Sequence, residues 1–297
     1  MKIIQLVCLV SICLLSCHAQ TNQLVTSHPF TPISELEKTA TDGDAQAMYE
    51  LADAYERGRV VKQNFTNAFK WYQKAAEKGN PNGQFRLGFF YYKGRAVGQD
   101  YKKAFECFQL AARAGEPEAQ AMLGEAYIFG HGTDKNDAKA FECFQKAAAQ
   151  NEPAGQYALG QCYKLGVGTK TNEVKALNWF EKSAKNGNDK AQDQLGEIYL
   201  EGVSVKRDAG KAFYWFEKSA LQGNPHAQME LGVFYGISGE LPESYKWLYL
   251  TKQKSTDMYE VAMETLQKKG VIFSAKQIAD AKQLAEEFIK TNKLVLP

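Results

Sequence analysis

Apolar and small residues recur along this chain with a fixed period of 36 residues. In each period a leucine follows an alanine or glycine by four residues and precedes a tyrosine by four. This spacing places all three side chains on one face of a helix. Six leucines share the position: Leu51, Leu87, Leu123, Leu159, Leu195 and Leu231. The pattern predicts one amphipathic first helix in each period.

A second helix is predicted in each period by its start, its apolar stripe and its end. Helix-starting residues whose side chains can cap free N–H groups stand at Asn64, Asp100, Asn136, Asn172 and Asp208. Each second helix ends at a glycine or asparagine, and a proline usually follows two residues later, where it can open the next helix. These signals agree, so we predict an all-α fold: an α-solenoid of stacked antiparallel helix pairs.

A glycine follows the leucine in five of the six periods, at Gly88, Gly124, Gly160, Gly196 and Gly232. Glycine inside a helix costs about 1 kcal/mol relative to alanine. We therefore expect the second helix to approach closely at this position and offset the cost by packing.

The motif A-x-x-x-L-G-x-x-Y-x-x-G, a loop with Val or Thr, an Asn or Asp cap, and A-x-x-W-[YF]-x-K-[AS]-A-x-x-G resembles the Sel1-like repeat, a relative of the tetratricopeptide repeat. The resemblance covers residues 44–252 and implies about six repeats. The loop motif G-x-G survives only at Gly130/Gly132 and Gly166/Gly168. We expect the other loops to differ slightly in conformation.

Both ends of the repeat array carry predicted capping segments. Residues 33–43 are interpreted as an N-terminal half-repeat helix, and residues 253–297 as C-terminal capping helices. A helix is expected from about Thr256 to Lys269. A capping box at Ser274 opens another that runs to about Lys290.

The N-terminal residues are typical of an export signal. Residues 1–19 contain one lysine and a short apolar stretch, and residues 20–32 are interpreted as a flexible tether. Leu14 to Cys17 resembles a bacterial lipobox, which would make Cys17 a lipidated first residue. The alternative is cleavage near Ala19, which discards Cys17. We expect an exported periplasmic, outer-membrane or secreted protein that touches a membrane only through a lipid anchor.

Charge and cysteine usage narrow the classes of function. The 36 basic and 34 acidic residues form no basic stripe, so nucleic acid is not an expected partner. Cys107 and Cys143 occupy equivalent repeat positions, about 8–10 Å apart if one helix spacing separates them. A disulfide needs less than about 7 Å. A bond between Cys143 and Cys162 stays open, but buried free thiols are the favoured interpretation.

Motifs of nucleophilic, metal-dependent and phosphate-binding enzymes do not occur in the sequence. The histidines are interpreted as surface residues, and we expect no catalytic residue, cofactor or metal. Cysteine-rich relatives with the same type of repeat are linked to β-lactam hydrolysis, but the regular cysteine pairs are missing here. A β-lactam hydrolase and a protein that binds cell-wall glycan or peptidoglycan therefore remain the alternatives.

Resemblance to tetratricopeptide stacks implies that the first helices line a concave, peptide-binding side. Free positions on these helices predict an apolar patch and an acidic zone. The predicted binding residues are Tyr49, Phe85, Phe89, Tyr92 and Tyr157 in the patch, and Asp193 and Glu197 in the acidic zone. Alternatively, several of the aromatic residues pack between adjacent first helices. The leading hypothesis is a monomeric, non-catalytic scaffold of the bacterial envelope that binds a protein or peptide.

Overall fold

A computed structural model describes residues 32–292, which form fifteen helices and no strand. No helix in this range is long and apolar enough to cross a membrane. The helices are α1 Ile33–Thr41, α2 Ala45–Arg57, α3 Phe65–Glu77, α4 Pro81–Lys93, α5 Tyr101–Arg113, α6 Pro117–Phe129, α7 Asp137–Ala149, α8 Pro153–Leu165, α9 Glu173–Lys185, α10 Asp189–Glu201, α11 Ala209–Leu221, α12 Pro225–Ser238, α13 Leu241–Lys254, α14 Thr256–Lys268 and α15 Ala275–Asn292.

The chain divides into two compact units after Ala176, so that helix α9 crosses the boundary. Unit 1 contains the helix pairs α2/α3, α4/α5 and α6/α7, and unit 2 contains α10/α11 and α12/α13. In every pair the first helix packs against the second, and each pair also contacts its neighbour within the unit. The predicted all-α stack of helix pairs is confirmed.

The predicted caps start the second helices. Asn64 accepts a hydrogen bond from the backbone N–H of Asn67 at 3.0 Å, and Asp100 accepts one from Lys103 at 3.0 Å. The same bond recurs at Asn136, Asn172 and Asp208. Each cap satisfies one of the backbone donors that a helix start leaves free.

The glycine after the repeat leucine permits the close approach that we predicted. A Cβ atom on Gly124 would lie 2.5 Å from the ring of Phe144, and one on Gly196 would lie 2.6 Å from Phe216. Separations below 3 Å are not tolerated, so the aromatic ring of the second helix rests directly on the backbone of the first. Between repeats, Gly83 meets Ala75 in the same way.

Two sequence interpretations of the repeat need correction. Loops without G-x-G were expected to differ, but two of the three match the G-x-G loops here: Val60 and Ala96 take the left-handed conformation of Gly132, with φ of 56°, 61° and 73°. In the loops of Val60, Ala96 and Gly132, the cap residue donates its backbone N–H to the carbonyl oxygen of the repeat tyrosine, at 2.9 to 3.0 Å. Leu195 is fully buried as expected, but Leu123 is only half-buried.

Glutamine side chains tie successive repeats together. Gln150, at the end of α7, donates to the carbonyl oxygen of Gly115 at 2.9 Å. In unit 2, Gln222 donates to the carbonyl oxygen of Gly187 at 3.0 Å. Both bonds span 35 residues, so each joins the end of one second helix to the turn that ended the previous one.

Helices α1, α14 and α15 flank the repeat pairs of their own units. Ala40 of α1 belongs to a buried cluster with Leu51, and Ala285 of α15 is buried in a cluster with Trp247. The capping box at Ser274 is present, because the backbone N–H of Gln277 donates to Ser274 Oγ at 3.3 Å. Cys107, Cys143 and Cys162 are free thiols in the structure, and burial raises the pKa of Cys162 to about 12.

One first helix lacks its cap. Asn80 caps α4 with φ −67° and ψ 119°, and its side chain accepts from the backbone N–H of Gly83 at 2.8 Å. Glu116 stands at the same position of α6 with φ −62° and ψ 116°, but its side chain makes no cap hydrogen bond. Burial and then the hydrogen bond and charge of Glu118 raise the pKa of Glu116 to about 8.

We predict that Glu116→Asn stabilises the protein by about 1 kcal/mol, because asparagine fits this backbone and supplies the missing cap. The gain should grow as pH rises from the unfolded pKa of Glu116, about 4.5, through its folded pKa of about 8, since ionisation of Glu116 disfavours the folded state over that window. Urea unfolding at pH 4, 6 and 9 measures both parts.

Glu116→Gln is the matched control, because it removes the charge and supplies a longer amide. The stability that Glu116→Gln adds should increase with pH and vanish near pH 4, where Glu116 is protonated in both the folded and the unfolded state. Equal stability of Glu116→Asn and wild type at all three pH values would contradict the interpretation.

Candidate functional site

Neighbouring first helices meet at positions that the repeat pattern leaves free. We call each such contact region a junction. Each junction has four positions. Two lie on one first helix, two residues before and two residues after its leucine. The other two lie on the next first helix, five residues before and one residue before its leucine. The α2–α4 and α4–α6 junctions lie in unit 1, and the α10–α12 junction lies in unit 2.

The α2–α4 junction borders a buried network of charges. Glu56 is 5% exposed, and its carboxylate accepts a hydrogen bond from Tyr72 Oη at 2.8 Å. Arg86 and Arg95 lie 3.9 and 3.2 Å from the same carboxylate. Arg86 also lies 3.8 Å from Asp53. Burial and then the charge of Glu56 raise the pKa of Tyr72 well above its usual value. Negative and positive groups therefore balance one another here.

Five half-buried rings gather at and beside the α4–α6 junction, and we call them the aromatic patch: Phe85, Tyr92, Tyr101, Phe129 and His131. The imidazole of His131 stacks on Tyr101, with ring centroids 4.3 Å apart and planes 6° apart. Tyr92 lies 5.5 Å from Tyr101, and Phe129 lies 5.4 Å from His131. Phe85 and Tyr92 pack on one buried cluster.

The loop after α6 holds His131 against the patch. Gly130 and Gly132 flank it in left-handed conformations, with φ of 74° and 73°. A Cβ atom on Gly132 would lie 2.2 Å from the carbonyl oxygen of Tyr101, so only glycine fits this contact. Burial and then Lys135 lower the pKa of His131. The imidazole is therefore neutral at neutral pH, and the patch presents uncharged rings.

The α10–α12 junction is acidic. His226 Nδ1 lies 2.9 Å from Asp193, while His226 Nε2 lies 3.7 Å from Glu197 and 4.0 Å from Glu230. Burial alone would lower the pKa of His226. The hydrogen bond and charge of Asp193, followed by Glu197 and Glu230, outweigh burial and raise it to about 9. One imidazole thus faces three carboxylates.

The family model of the Sel1 repeat matches residues 45–80, 81–116, 117–152, 153–188, 189–224 and 225–250. The chain belongs to the Sel1 repeat family. The crystal structure of a Sel1 repeat protein from Oxalobacter formigenes is similar over 75% of this chain and 100% of that one, with 28% identity and a TM-score of 0.67.

Two further solved structures share the fold at lower identity. A protective antigen of uropathogenic Escherichia coli, described as displaying an SLR fold, has 22% identity and a TM-score of 0.55 over 87% of this chain and 79% of its own. An immunity protein from Pseudomonas aeruginosa has 20% identity and a TM-score of 0.51 over 85% of each chain. No curated protein matches the sequence.

Two of the predicted binding residues, Phe89 and Tyr157, are buried within the Sel1 repeats. Phe89 is 5% exposed and packs with Ala104, Phe108 and Met122. Tyr157 is 1% exposed, and its hydroxyl accepts a hydrogen bond from Gln161 at 2.7 Å. The alternative of packing between helices describes Phe89, and Tyr157 is buried as well. The fold leaves little of either side chain for a partner to contact.

The other predicted residues reach the surface of their Sel1 repeats in part. Tyr49 is half-buried against the ring of Tyr72, and Phe85 and Tyr92 belong to the aromatic patch. Asp193 and Glu197 lie together at the α10–α12 junction, with side chains 18% and 40% exposed. Cys17, the predicted lipidation residue, lies outside the described residues.

Sequence reasoning missed Arg86, Tyr101, His131, His226 and Glu230. The period contained a signal for three of them, because Arg86, His226 and Glu230 each follow an acidic residue of the previous first helix by 33 residues. His226 follows Asp193 by 33 residues, which is one Sel1 repeat less three, and therefore joins it across the junction of neighbouring first helices. Tyr101 and His131 carried no such signal, because a loop and the start of a second helix form their contact.

We predict that Arg86→Met lowers the stability of unit 1 by about 3–5 kcal/mol, because it leaves a buried carboxylate with too little positive charge. Lys103→Met, at an ion pair whose lysine side chain is 57% exposed, should cost at most about 1 kcal/mol. Urea unfolding followed by circular dichroism measures both variants.

The double variant Arg86→Met/Glu56→Gln gives the decisive comparison. It removes both charges, so it should be more stable than Arg86→Met alone. If adding Glu56→Gln lowers stability further, the charge network does not govern this junction.

Proposed function

We propose that this Sel1 repeat protein is a non-catalytic scaffold that binds a segment of another protein on the surface formed by its first helices and their loops. Membership of the Sel1 repeat family supports a binding role, and the site supplies the specific argument. The observation that carries the proposal is the convergence of five half-buried, uncharged rings in unit 1.

The aromatic patch has the chemistry of an interface anchor. Aromatic rings bury large apolar areas and lose little conformational freedom on binding, because they have only two side-chain torsions. Its rings are already held in place, since Tyr92 packs on a buried cluster and the stacked His131 is fixed by its loop. An apolar or aromatic side chain of the partner would therefore dock without much reorganisation of this surface.

We predict that Phe85→Ala and Tyr101→Ala each weaken partner binding by about 2 kcal/mol, or roughly 30-fold, where the ring is a hot spot. Thermal stability should fall far less than in Leu195→Ala, which empties a fully buried site at about 2–5 kcal/mol. Photo-crosslinking from residue 85 in intact cells would identify the partner, and binding of the purified partner would then be measured.

Tyr214→Ala is the matched control, because its ring is 48% exposed on helix α11 of unit 2 and lies outside the patch. It should bind the partner like wild type. Loss of binding in Tyr214→Ala equal to that in Phe85→Ala would remove the patch from the proposal. Hydrolysis of a β-lactam by the pure protein, or binding of peptidoglycan in place of a protein, would overturn the scaffold function itself.

The proposed location is the bacterial envelope, with Cys17 as a lipid anchor. The lipobox-like residues Leu14 to Cys17 support this, and they lie outside the described residues. We expect Cys17→Ala to release the protein from the membrane fraction, because the lipid anchor is attached at this cysteine and cannot form without it. Intact mass spectrometry that gives an unmodified N-terminus at Gln20 would show cleavage by ordinary signal peptidase instead.

A further inference from the structure

The α10–α12 junction gathers side chains of the kind that hold a transition metal. Asp193, Glu197 and His226 each place one potential ligand atom within 4.8 Å of the others. Glu230 brings a third carboxylate to 4.0 Å from His226 Nε2. A neutral imidazole with carboxylates is a donor set suited to ions such as Zn²⁺ and Co²⁺.

Asp193 and the carboxylates at Nε2 contact opposite sides of the imidazole. Asp193 lies 2.9 Å from Nδ1 and accepts its hydrogen. This directs the lone pair of a neutral ring, on Nε2, toward Glu197 and Glu230. Metal-binding histidines characteristically donate their other N–H to a carboxylate, which fixes the tautomer and the ring orientation. The observed hydrogen bond provides that second contact.

The separations from the imidazole are near those of a bound ion. Two ligands at about 2.1 Å from a tetrahedral ion are about 3.4 Å apart. Nε2 is 3.7 Å from Glu197 and 4.0 Å from Glu230. The two glutamates must also turn toward each other to share one ion, and their partly exposed side chains can do so. The ring itself is well placed, because Asn224 caps α12 by accepting from the backbone N–H of His226 at 3.0 Å.

The α2–α4 junction of unit 1 has a different charge at the position of Glu230. Glu230 stands one residue before its leucine, where α4 has Arg86. The guanidinium of Arg86 lies 3.8 Å from Asp53, which is the counterpart of Glu197. An arginine therefore stands against the acid in unit 1, whereas the α10–α12 junction has another carboxylate at that position. A protonated His226 offsets only one of its three carboxylates. A divalent cation bound in place of the proton on Nε2 would offset two.

We propose that His226 Nε2, Glu197 and Glu230 bind a divalent transition-metal ion of the Zn²⁺ or Co²⁺ type, with Asp193 as the positioning residue. This site goes beyond the proposed scaffold function and does not depend on it. It is also specific to this junction, because the position of His226 is Gln46, Asn82, Glu118, Ala154 or Lys190 in the other repeats.

The test uses the full chain freed of metal by a chelator that is then removed. Titration with ZnCl₂ by calorimetry should show a site that His226→Gln weakens at least about 100-fold, and that Asp193→Asn weakens about 10–100-fold. Titration with CoCl₂ should give visible absorption bands that His226→Gln abolishes. His131→Gln is the matched control and should bind both ions like wild type.

Glu230→Gln keeps the proposal testable if His226→Gln folds poorly, because it changes one carboxylate oxygen and should also weaken Zn²⁺ binding. The proposal is overturned if His226→Gln or Glu230→Gln binds Zn²⁺ as tightly as wild type. It is overturned equally if wild type takes up neither ion, and binding of a lysine-bearing peptide there would then identify the junction as an acidic docking surface. Neither result touches the scaffold proposal, whose aromatic patch lies in unit 1.

Discussion

The contact between the repeat glycine and a side chain of the second helix is the constraint on which the rest of the structure depends. At Gly88, Gly124 and Gly196 an added Cβ atom would lie between 2.5 and 2.8 Å from an aromatic ring, and at Gly232 it would lie 2.6 Å from Leu248. Because the first helix has no side chain at this position, the spacing of the two helices is set by its backbone and by the side chain of the second helix that packs on it. The Asn and Asp caps and the left-handed turns then connect helices whose separation is already determined.

Features that repeat every 36 residues could be predicted from sequence, because each has a local signal that returns in register. Helix starts, helix ends and the glycine contact are of this kind. The burial of Phe89 and Tyr157 could not be predicted, since a position two residues from the leucine faces either solvent or the next repeat, and the neighbour's side chains decide which. Leu123 is only half-buried, although Leu195 and Leu231 are fully buried at the same repeat position. The repeat position alone therefore does not determine burial.

The junctions show how a uniform backbone supports different chemistry. In unit 1 the α2–α4 junction borders a buried network in which arginines offset the charge of Glu56, and the α4–α6 junction adjoins uncharged rings. In unit 2 the α10–α12 junction sets His226 among three carboxylates. The repeat pattern specifies none of these side chains. Function in this Sel1 repeat protein therefore depends on the residues that the repeat leaves free, whereas the repeated residues determine where those side chains lie.

The glutamine hydrogen bonds between successive repeats limit how the length of such a chain can change. Gln150 and Gln222 each bond to a carbonyl oxygen 35 residues earlier, in different units but with the same donor atom and the same type of acceptor. A backbone carbonyl at an equivalent turn exists in every repeat, so the glutamine would find an acceptor whichever repeat preceded it. Duplication or loss of a whole repeat therefore preserves this bond, whereas insertion of a few residues shifts the turn away from it. This hydrogen bond therefore favours evolution by gain or loss of whole repeats.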